Sequence, residues 1–296
     1  MARENLNWES KLILLIVVPF VATGLVLQTH WWATQYPAVA IWTLGLSLLL
    51  ALVVLRLHAA TAAGTATGAA VTASLMFSTV TLPYLPWHTA LPPVLAVSFL
   101  AWAATRVGRK KKERLGVAEP RRGRSASQIA ANLGVAALVC SEVMQSWLMD
   151  RHGASLQALA PTPYFALGLA ALAEAAADTV SSELGQVLGG RPRMITTLKP
   201  VEAGTDGAIS LAGTLAGIAA ASVVAALGTL ALRGGSELFW IGVAGGVFGL
   251  FFDSVLGATL ERRGWLNNDA VNFLSTASAV GFAFGALLAS AHFGSH

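Results

Sequence analysis

Runs of about 20 apolar residues recur along the whole chain, and this feature limits what the chain can fold into. Of its 296 residues, 55% are hydrophobic and 11% are charged, whereas about 25% of an ordinary soluble domain is charged. Because a helix of about 20 apolar residues crosses a bilayer, the runs predict an all-α, polytopic integral membrane bundle. We predict nine transmembrane helices, at residues 11–29, 37–56, 61–82, 88–106, 127–149, 162–188, 208–232, 237–258 and 272–292.

Charged residues between the runs predict how the bundle lies in a cell membrane. Basic residues outnumber acidic ones nine to two between positions 106 and 126, and such loops stay on the cytoplasmic side. The apolar run after Lys11 has no cleavage motif, so we expect a retained first helix. Counting spans places further segments on the cytoplasmic side: the N-terminus with Arg3 and Lys11, the turn at Arg56, and the loops 189–207 and 259–271.

The basic loop also organises the chain. We interpret residues 1–296 as a single transmembrane domain, with N-terminal spans at 1–106, a basic cytoplasmic loop at 107–126 and a core with the polar motifs at 127–296. We interpret Arg109 to Arg114 as a solvated tether that is attracted to anionic lipid headgroups. No nucleic-acid partner is expected, because no aromatic residues alternate with these charges.

Four acidic residues lie where a membrane protein normally avoids them. Glu174 and Asp178 are inside the apolar run 162–188, while Asp206 and Asp253 are at the edges of two other runs. A charge near the bilayer centre is costly, so such residues usually face the bundle interior and serve function. We therefore expect these acids to mark a functional site.

Helical geometry predicts a polar stripe on the run 162–188. Glu183 points away from this stripe if the helix is regular, so either it faces another wall of the cavity or the helix breaks before Gly185. Five small or polar residues fall in one sector of roughly 100°: Glu174, Asp178, Ser181, Ser182 and Gly185.

The segment 189–215 has the composition of a phosphate-binding loop. Gly204 and Gly207 allow a close approach of the backbone, and we expect the next helix to begin near Asp206. Backbone N–H groups at a helix start, with flanking cations, bind phosphate well. An ordinary flexible turn explains the same composition almost as well. The side chains that this segment offers to a phosphate are Arg191, Arg193, Thr196, Thr197 and Lys199.

A third polar element begins at Asp253 and continues into the loop before the last span. We expect Asp178, Asp206 and Asp253 to converge at the cytoplasmic side. Carboxylates that hold Mg²⁺ beside cationic side chains are a common arrangement in phosphoryl transfer. The single cysteine, Cys140, excludes an internal disulfide, and no His or Cys pair has the spacing of a zinc site.

Four motifs resemble the transmembrane protein 19 family, formerly a domain of unknown function. Residues 124–132 and Asn272 resemble its remaining polar signature, while Glu261 stands where we expect Gln. The motifs are Ala-Asp-Thr-Val-Ser-Ser-Glu-Leu-Gly (177–185), Ile-Thr-Thr-Leu-Lys-Pro-Val (195–201), Gly-Thr-Asp-Gly-Ala-Ile-Ser-Leu-Ala-Gly (204–213) and Asp-Ser-Val-Leu-Gly-Ala (253–258).

The resemblance implies an activity. The family includes phytyl-phosphate kinase of plant plastids, which makes an isoprenoid diphosphate from the monophosphate with a nucleoside triphosphate. It therefore implies an integral membrane isoprenyl-phosphate kinase, a phosphotransferase that uses Mg²⁺ and a nucleoside triphosphate, CTP in our expectation. The isoprenoid phosphate substrate would lie among the membrane lipids. Because its phosphate is already ionised, positioning and electrostatics should dominate the catalysis.

The residues and the resemblance together give a predicted site. Asp178, Asp206 and Asp253 are the expected metal ligands, and with Lys199 they are the expected catalytic residues. Expected substrate-binding residues are Arg124, Gln128, Asn132, Ser181, Ser182, Glu183, Arg193, Thr196, Thr197, Gly204, Gly207, Ser210, Asn268 and Asn272.

Two alternative functions fit the same sequence. Intramembrane acids and a weak internal repeat also suit a cation- or proton-coupled transporter, or a lipid flippase. The loop rich in Arg, Lys and Thr favours the kinase, because a pure cation carrier has no use for it. A structural membrane protein without a small-molecule site, and other lipid-phosphate chemistry such as nucleotidyl transfer, are further interpretations.

Overall fold

The chain folds into a bundle of helices with one very short pair of strands. The computed structural model describes residues 6–157 and 163–293. Strands β1 (Arg193–Met194) and β2 (Ala208–Ile209) pair antiparallel. The predicted all-α membrane fold is confirmed. The helices in the described ranges are α1 (Trp8–Gln35), α2 (Pro37–Arg56), α3 (Ala62–Ser78), α4 (Leu91–Arg106), α5 (Arg109–Leu115), α6 (Ala126–Val139), α7 (Glu142–Gln157), α8 (Pro163–Leu188), α9 (Leu211–Ala231), α10 (Ser236–Leu256) and α11 (Asn268–Phe293).

The number of membrane spans differs from the predicted nine. Five helices in the described part are long and apolar enough to cross a bilayer: α1, α2, α9, α10 with its following turn, and α11. The number rises to seven if two bent pairs each form one span, α4 with α5 at 66° and α6 with the first half of α7 at 49°. The count of nine is not confirmed, because α3 has 17 residues and the three acidic residues of α8 lower its hydropathy.

Helix α8 runs through the middle of the bundle. Residues 165–177 are all buried, and α4, α6, α9, α10 and α11 pack around them. Glycines let the neighbouring helices approach closely: a Cβ at Gly217 would meet the Ala177 carbonyl, and one at Gly246 would meet Ala173. Small residues are the usual interface of membrane helices. The acidic residues of α8 therefore face protein rather than lipid.

Hydrogen bonds join helix ends at one end of the bundle, here termed the polar end. They connect the start of α1 with the start of α11, the end of α2 with the end of α4, and α5 with the end of α8. This arrangement agrees with the predicted placement of the charged loops on one side. Cytoplasmic orientation stays a prediction, and Arg3 lies outside the described residues. The bonds are Ser10 Oγ to Asp269 Oδ2 at 2.6 Å, Arg106 Nη2 to the Leu57 carbonyl at 2.8 Å, and Lys111 Nζ to the Val187 carbonyl at 2.6 Å.

Backbone contacts hold Arg124 in place just before α6. Its N–H donates to the Ala59 carbonyl at 3.0 Å, and its own carbonyl accepts from the Thr61 N–H at 2.9 Å. Gly64 brings α3 against the same carbonyl, which a Cβ at that position would overlap. The main chain of Arg124 is thus fixed from two sides before its side chain reaches any ligand.

The helix after the predicted phosphate loop begins later than expected. Its start was predicted near Asp206, but α9 begins at Leu211 with Ser210 as its N-cap, which accepts from the Gly213 N–H at 3.1 Å. The reason is Gly207, whose φ of 74° is in the left-handed region and is incompatible with a right-handed helix. Strand β2 occupies the interval instead.

Candidate functional site: an acidic cavity beside an apolar groove

A polar cavity of about 270 Å³ opens at the polar end of the bundle. Its walls come from residues 117–132, the second half of α8, the loop 203–210, the end of α10 and the start of α11. Six carboxyl side chains line it against one arginine, Arg124. The six are Glu119, Asp178, Glu183, Asp206, Asp253 and Glu261. We refer to this space as the polar cavity.

Asp178 and Asp253 form the centre of the polar cavity. Their carboxyl groups lie close enough to interact, although one is on α8 and the other on α10. The Arg124 guanidinium lies close enough to attract Asp178. Oδ2 of Asp253 is buried without a hydrogen-bond partner among the described residues. Because buried polar atoms nearly always have a partner, this oxygen indicates a place for a ligand or an ion.

Glu174 lies one turn deeper on α8 than Asp178. It is 1% exposed, and its Oε1 accepts a hydrogen bond from Ser275 Oγ at 2.6 Å. The predicted polar stripe therefore has two levels. Asp178, Ser181, Ser182 and Gly185 line the cavity, whereas Glu174 lies beneath it.

A buried ion pair holds Glu183. Lys112 is 1% exposed, donates to Glu183 Oε2 and also donates to the Ala104 carbonyl at 2.8 Å. Thr105 Oγ1 donates to the other carboxylate oxygen of Glu183 at 3.1 Å. The interpretation of this basic run as a solvated tether is wrong for Lys112, because α5 bends by 66° from α4 and packs on α8. Glu183 faces the α4–α5 wall, as a regular helix requires.

Asp206 reaches the cavity on a loop that packs against the end of α10. A Cβ at Gly207 would overlap the backbone of Ala258, in the π-helical turn Gly257–Glu261. Single π-turns inside or after α-helices often occur at functional sites. This turn places Glu261 near Asp206. The departure from Gln at position 261 therefore adds a carboxyl group to the cavity.

Gln128 and Asn132 lie one turn apart on α6 and both line the cavity. Oε1 of Gln128 accepts from the Ser125 N–H at 2.7 Å, which completes a capping box at the start of α6. Its Nε2 donates to Glu119 Oε1 at 3.3 Å. Nδ2 of Asn132 donates to the Gln128 carbonyl at 2.9 Å. Gln128 thus positions Glu119 and the helix start.

Most of the predicted site residues meet in this cavity, although they come from distant parts of the sequence. They are Asp178, Asp206 and Asp253 of the predicted catalytic set, with Arg124, Gln128, Asn132, Ser181, Ser182, Glu183, Gly204, Gly207, Ser210, Asn268 and Asn272.

The cationic and hydroxyl residues of the 193–199 segment lie elsewhere. Arg193, Thr196, Thr197 and Lys199 are exposed and do not line the cavity. The segment folds back on itself, with the Leu198 N–H donating to the Met194 carbonyl at 2.7 Å. Arg193 Nη1 donates to the Leu198 carbonyl at 2.8 Å, so its guanidinium stabilises the turn.

Sequence reasoning missed three residues of the site: Glu119, Glu261 and Lys112. Glu119 is one of the two acidic residues in the basic loop, and that exception was an available signal. Glu261 stands out in the sequence only as a departure from the family pattern. Lys112 had no signal of its own, since its neighbours at 110 and 111 are also lysines.

The predicted metal site can be tested against this geometry. Among the described residues, no group of three or more His, Cys, Asp or Glu side chains is arranged to hold a metal ion, so the predicted ligands Asp178, Asp206 and Asp253 do not form a three-carboxylate site. Mg²⁺, however, is usually bound by one or two carboxylates together with substrate phosphates and water. The Asp178–Asp253 pair, with the unpartnered Oδ2 of Asp253, fits that kind of site. These two side chains would hold a Mg²⁺ ion only together with a phosphate and water.

An apolar groove of about 610 Å³ adjoins the polar cavity. We refer to it as the side groove. It shares Glu119, Arg124 and Asn132 with the cavity. Cationic side chains cluster at its polar end: Arg106, Arg109, Lys110, Arg121 and Arg124. Apolar side chains from α2, α4 and α6 and the turn after α2 form its walls: Val54, Leu57, Val97, Ala101, Trp102, Ile129 and Leu133.

Comparisons with known proteins agree with a membrane protein. The family described as "Integral membrane protein DUF92" matches residues 45–280. An uncharacterized membrane protein of Methanocaldococcus jannaschii is 46% identical over 108 residues, which cover 36% of this chain and 45% of that protein. An uncharacterized membrane protein of Synechocystis sp. is 35% identical over 201 residues, which cover 64% of this chain and 71% of that protein.

A plant relative is also similar. Protein VTE6, chloroplastic, of Arabidopsis thaliana is 33% identical over 186 residues, which cover 62% of this chain and 54% of that protein. The chain thus spans about half the length of that relative and of the archaeal one. No solved structure matches the chain.

Proposed function

The chain belongs to the integral membrane protein family DUF92, and on that premise we propose that it is an isoprenyl-phosphate kinase. It transfers a phosphoryl group from a nucleoside triphosphate, with CTP as the first candidate, to an isoprenoid monophosphate. The motif resemblance to a family that includes phytyl-phosphate kinase and the similarity to a chloroplast protein support this substrate class. The observation that carries the proposal is the polar cavity, which unites the acids of α8, α10 and the 203–210 loop with Arg124.

The charge of the cavity fits a phosphate that comes with a cation. Six carboxyl groups, of which Glu183 is neutralised by Lys112, outnumber the single arginine and would repel a bare triphosphate. Asp178 and Asp253 would hold Mg²⁺. When bound, that ion supplies the charge neutralisation that the phosphates require. Arg124, which attracts Asp178 from the rim, contributes the protein's own positive charge to the phosphate oxygens.

The transfer itself needs little acid–base help from the chain. An oxygen of the ionised acceptor phosphate bonds to the γ-phosphorus, the bond from that phosphorus to the β–γ bridging oxygen breaks, and the nucleoside diphosphate leaves. No proton has to be removed from the attacking oxygen. The residues therefore act by binding and alignment. At about 270 Å³ the cavity is smaller than a typical ligand pocket, so it holds phosphates and leaves the base outside.

A direct assay tests this proposal. Purified protein in lipid nanodiscs is given phytyl or farnesyl monophosphate, Mg²⁺ and either CTP or ATP, and the lipid product is followed by mass spectrometry. The expected product is the isoprenoid diphosphate, formed in the presence of Mg²⁺ and lost with a chelator. Folded protein that forms no diphosphate with any nucleotide would contradict the proposal.

Transport is a second candidate, favoured by one specific observation. Glu174 and Ser275 form a buried polar pair beneath the cavity, at a depth that a surface enzyme does not need. Intramembrane carboxylates of this kind are typical of ion pathways. Proteoliposomes that take up protons or metal ions, with a flux abolished by Glu174→Gln and no lipid turnover, would favour the transporter over the kinase.

A further inference from the structure

The side groove has one polar and one apolar end. On α4, Ala101, Trp102 and Thr105 face it, with Val97 and Ser98 one turn further along. Since a helix rises roughly 1.5 Å per residue, the groove follows α4 for about 14 Å from Arg106 to Val97. Its inner end reaches Leu133 of α6 and Ala175 of the central helix α8.

The charged side chains of this groove are concentrated at its polar end. Five Arg or Lys side chains and two glutamates lie at its polar end. Some of these cations have partners in the protein: Arg109 and Arg121 both contact Glu113, at 3.2 and 3.4 Å. The end as a whole nevertheless carries an excess of positive charge. An occupant that complements the groove has a single anionic head and a hydrocarbon tail.

The position of Arg124 makes the groove and the cavity continuous. Its side chain belongs to both walls, and it is close to Asp178. An anionic head at Arg124 would therefore lie at the edge of the acidic cavity while its tail extended along α4. This is the geometry that an acceptor phosphate on a membrane-dissolved chain requires.

We propose that the side groove between α2, α4 and α6 holds the hydrocarbon tail of the acceptor, with its phosphate at Arg124, and that Ala101 sets the tail length accepted. The inference rests on the proposed function and deepens it. Ala101 is 6% exposed and lies about halfway between Arg106 and Val97 on the groove face. A larger side chain at this position closes the inner half of the groove and leaves the phosphate end open.

Groove-filling variants test the inference. Ala101→Phe fills the middle of the groove, Ser98→Phe fills its inner end from a half-buried position, and Ala103→Phe on the same helix lies outside the groove lining. The ligands are dimethylallyl, geranyl, farnesyl and phytyl monophosphate. Two readouts are used: kcat/KM with CTP and Mg²⁺, and the nucleotide-free shift in melting temperature on adding each ligand.

The expected result is a graded loss. Ala101→Phe loses about tenfold or more in kcat/KM and its melting shift with farnesyl and phytyl monophosphate, while dimethylallyl monophosphate is unaffected. Ser98→Phe loses phytyl monophosphate alone. Ala103→Phe behaves as wild type with every ligand. Ser98→Phe keeps the inference testable if Ala101→Phe does not fold.

The readouts separate failure of the inference from failure of the proposed function. If the filled variants treat all lengths as wild type does, the groove is not the tail site, although kinase activity stands. Suppose that neither wild type nor any variant phosphorylates an acceptor, but the nucleotide-free shift in melting temperature depends on tail length and on Ala101. The tail site is then supported and the proposed kinase activity is contradicted. The inference is overturned if the wild-type protein binds none of the four ligands. It is also overturned if phosphatidic acid in the nanodisc competes equally with the isoprenoid phosphates and the same variants weaken its binding.

Discussion

The polar cavity and the side groove share a wall but have opposite chemistry. Six carboxylates against one arginine line the cavity, whereas five cations against two glutamates stand at the polar end of the groove. Of these two spaces, the groove is the one with long apolar walls. The difference indicates that two unlike ligands meet here, one that brings its own cations and one that brings negative charge and a tail. Arg124, Asn132 and Glu119 form the boundary between them.

Removing charge from the cavity side should have the largest effect. We predict that Asp178→Asn lowers kcat/KM by about 1,000-fold, because an amide oxygen without charge holds Mg²⁺ and its phosphates poorly. Nucleotide-free binding of the acceptor tail should change little. The measurements are diphosphate formation and the melting shift with farnesyl monophosphate.

Asp150→Asn is the matched control for that change. Asp150 is an exposed aspartate of α7 that does not line the cavity, so turnover should stay within about twofold of wild type. Near-normal turnover of Asp178→Asn would show that the polar cavity takes no part in the reaction. The proposed division of roles between the cavity and the groove would then be wrong.

A buried ion pair, Lys112 with Glu183, joins α5 to α8 beside the cavity. We predict that Lys112→Met destabilises the protein by about 3 kcal/mol or more, because Glu183 is then buried without its partner. The double variant Lys112→Met with Glu183→Gln should regain most of that stability. Unfolding in SDS titrations measures both.

Lys111→Met supplies the comparison for the ion pair. Lys111 is exposed and donates a hydrogen bond to the Val187 carbonyl, so its loss should cost about 1 kcal/mol or less. Equal effects of the two lysine variants would mean that burial of Lys112 does not stabilise α5 against α8.

Arg124 tests whether the two regions communicate. We predict that Arg124→Gln lowers kcat/KM by about 30-fold and weakens nucleotide-free acceptor binding, since a charge-assisted hydrogen bond to phosphate is lost. Arg124→Lys should recover part of the binding, although it lacks the planar guanidinium. Isothermal titration with farnesyl monophosphate and steady-state kinetics measure the two effects.

Arg121→Gln is the control at the same rim. The Arg121 side chain is 85% exposed and contacts Glu113, so a change of about threefold at most is expected. If Arg124→Gln impaired turnover without any effect on acceptor binding, Arg124 would belong to the cavity alone and the proposed boundary would be wrong.

The sequence predicts the chemistry of the cavity better than that of its rim. Asp178, Asp253 and Glu183 could be placed because an acid in an apolar helix has to face protein, and helical periodicity then fixes its side. Such inferences succeed because one strong energy term, the cost of charge in lipid, decides the outcome.

Side chains in loops escape that constraint, because water satisfies a charge in many directions. Arg193 and Lys199 were assigned to the phosphate, but the turn at residues 193–199 points them outward. Lys112 was assigned to water, but the bend after α4 buries it. Composition alone does not report the direction of a turn or the angle of a bend. The side groove was missed for a related reason, since apolar groove walls and lipid-facing surfaces have the same residue types.

The smallest predicted effect concerns the loop that holds Asp206 on the cavity side of the comparison. Gly207 has a φ of 74°, and a Cβ there would overlap the backbone of Ala258. Gly264 has a φ of 71°, but a Cβ added there would meet no neighbouring atom within 4 Å.

Both Gly→Ala variants carry the strain of a left-handed residue, about 1 kcal/mol. We predict that Gly207→Ala loses a further 1 kcal/mol or so and several-fold in turnover, because the loop has to move off the π-turn beside Glu261. Thermal unfolding and diphosphate formation measure the two losses. Equal stability and equal activity of the two variants would show that the contact between Gly207 and Ala258 does not position Asp206.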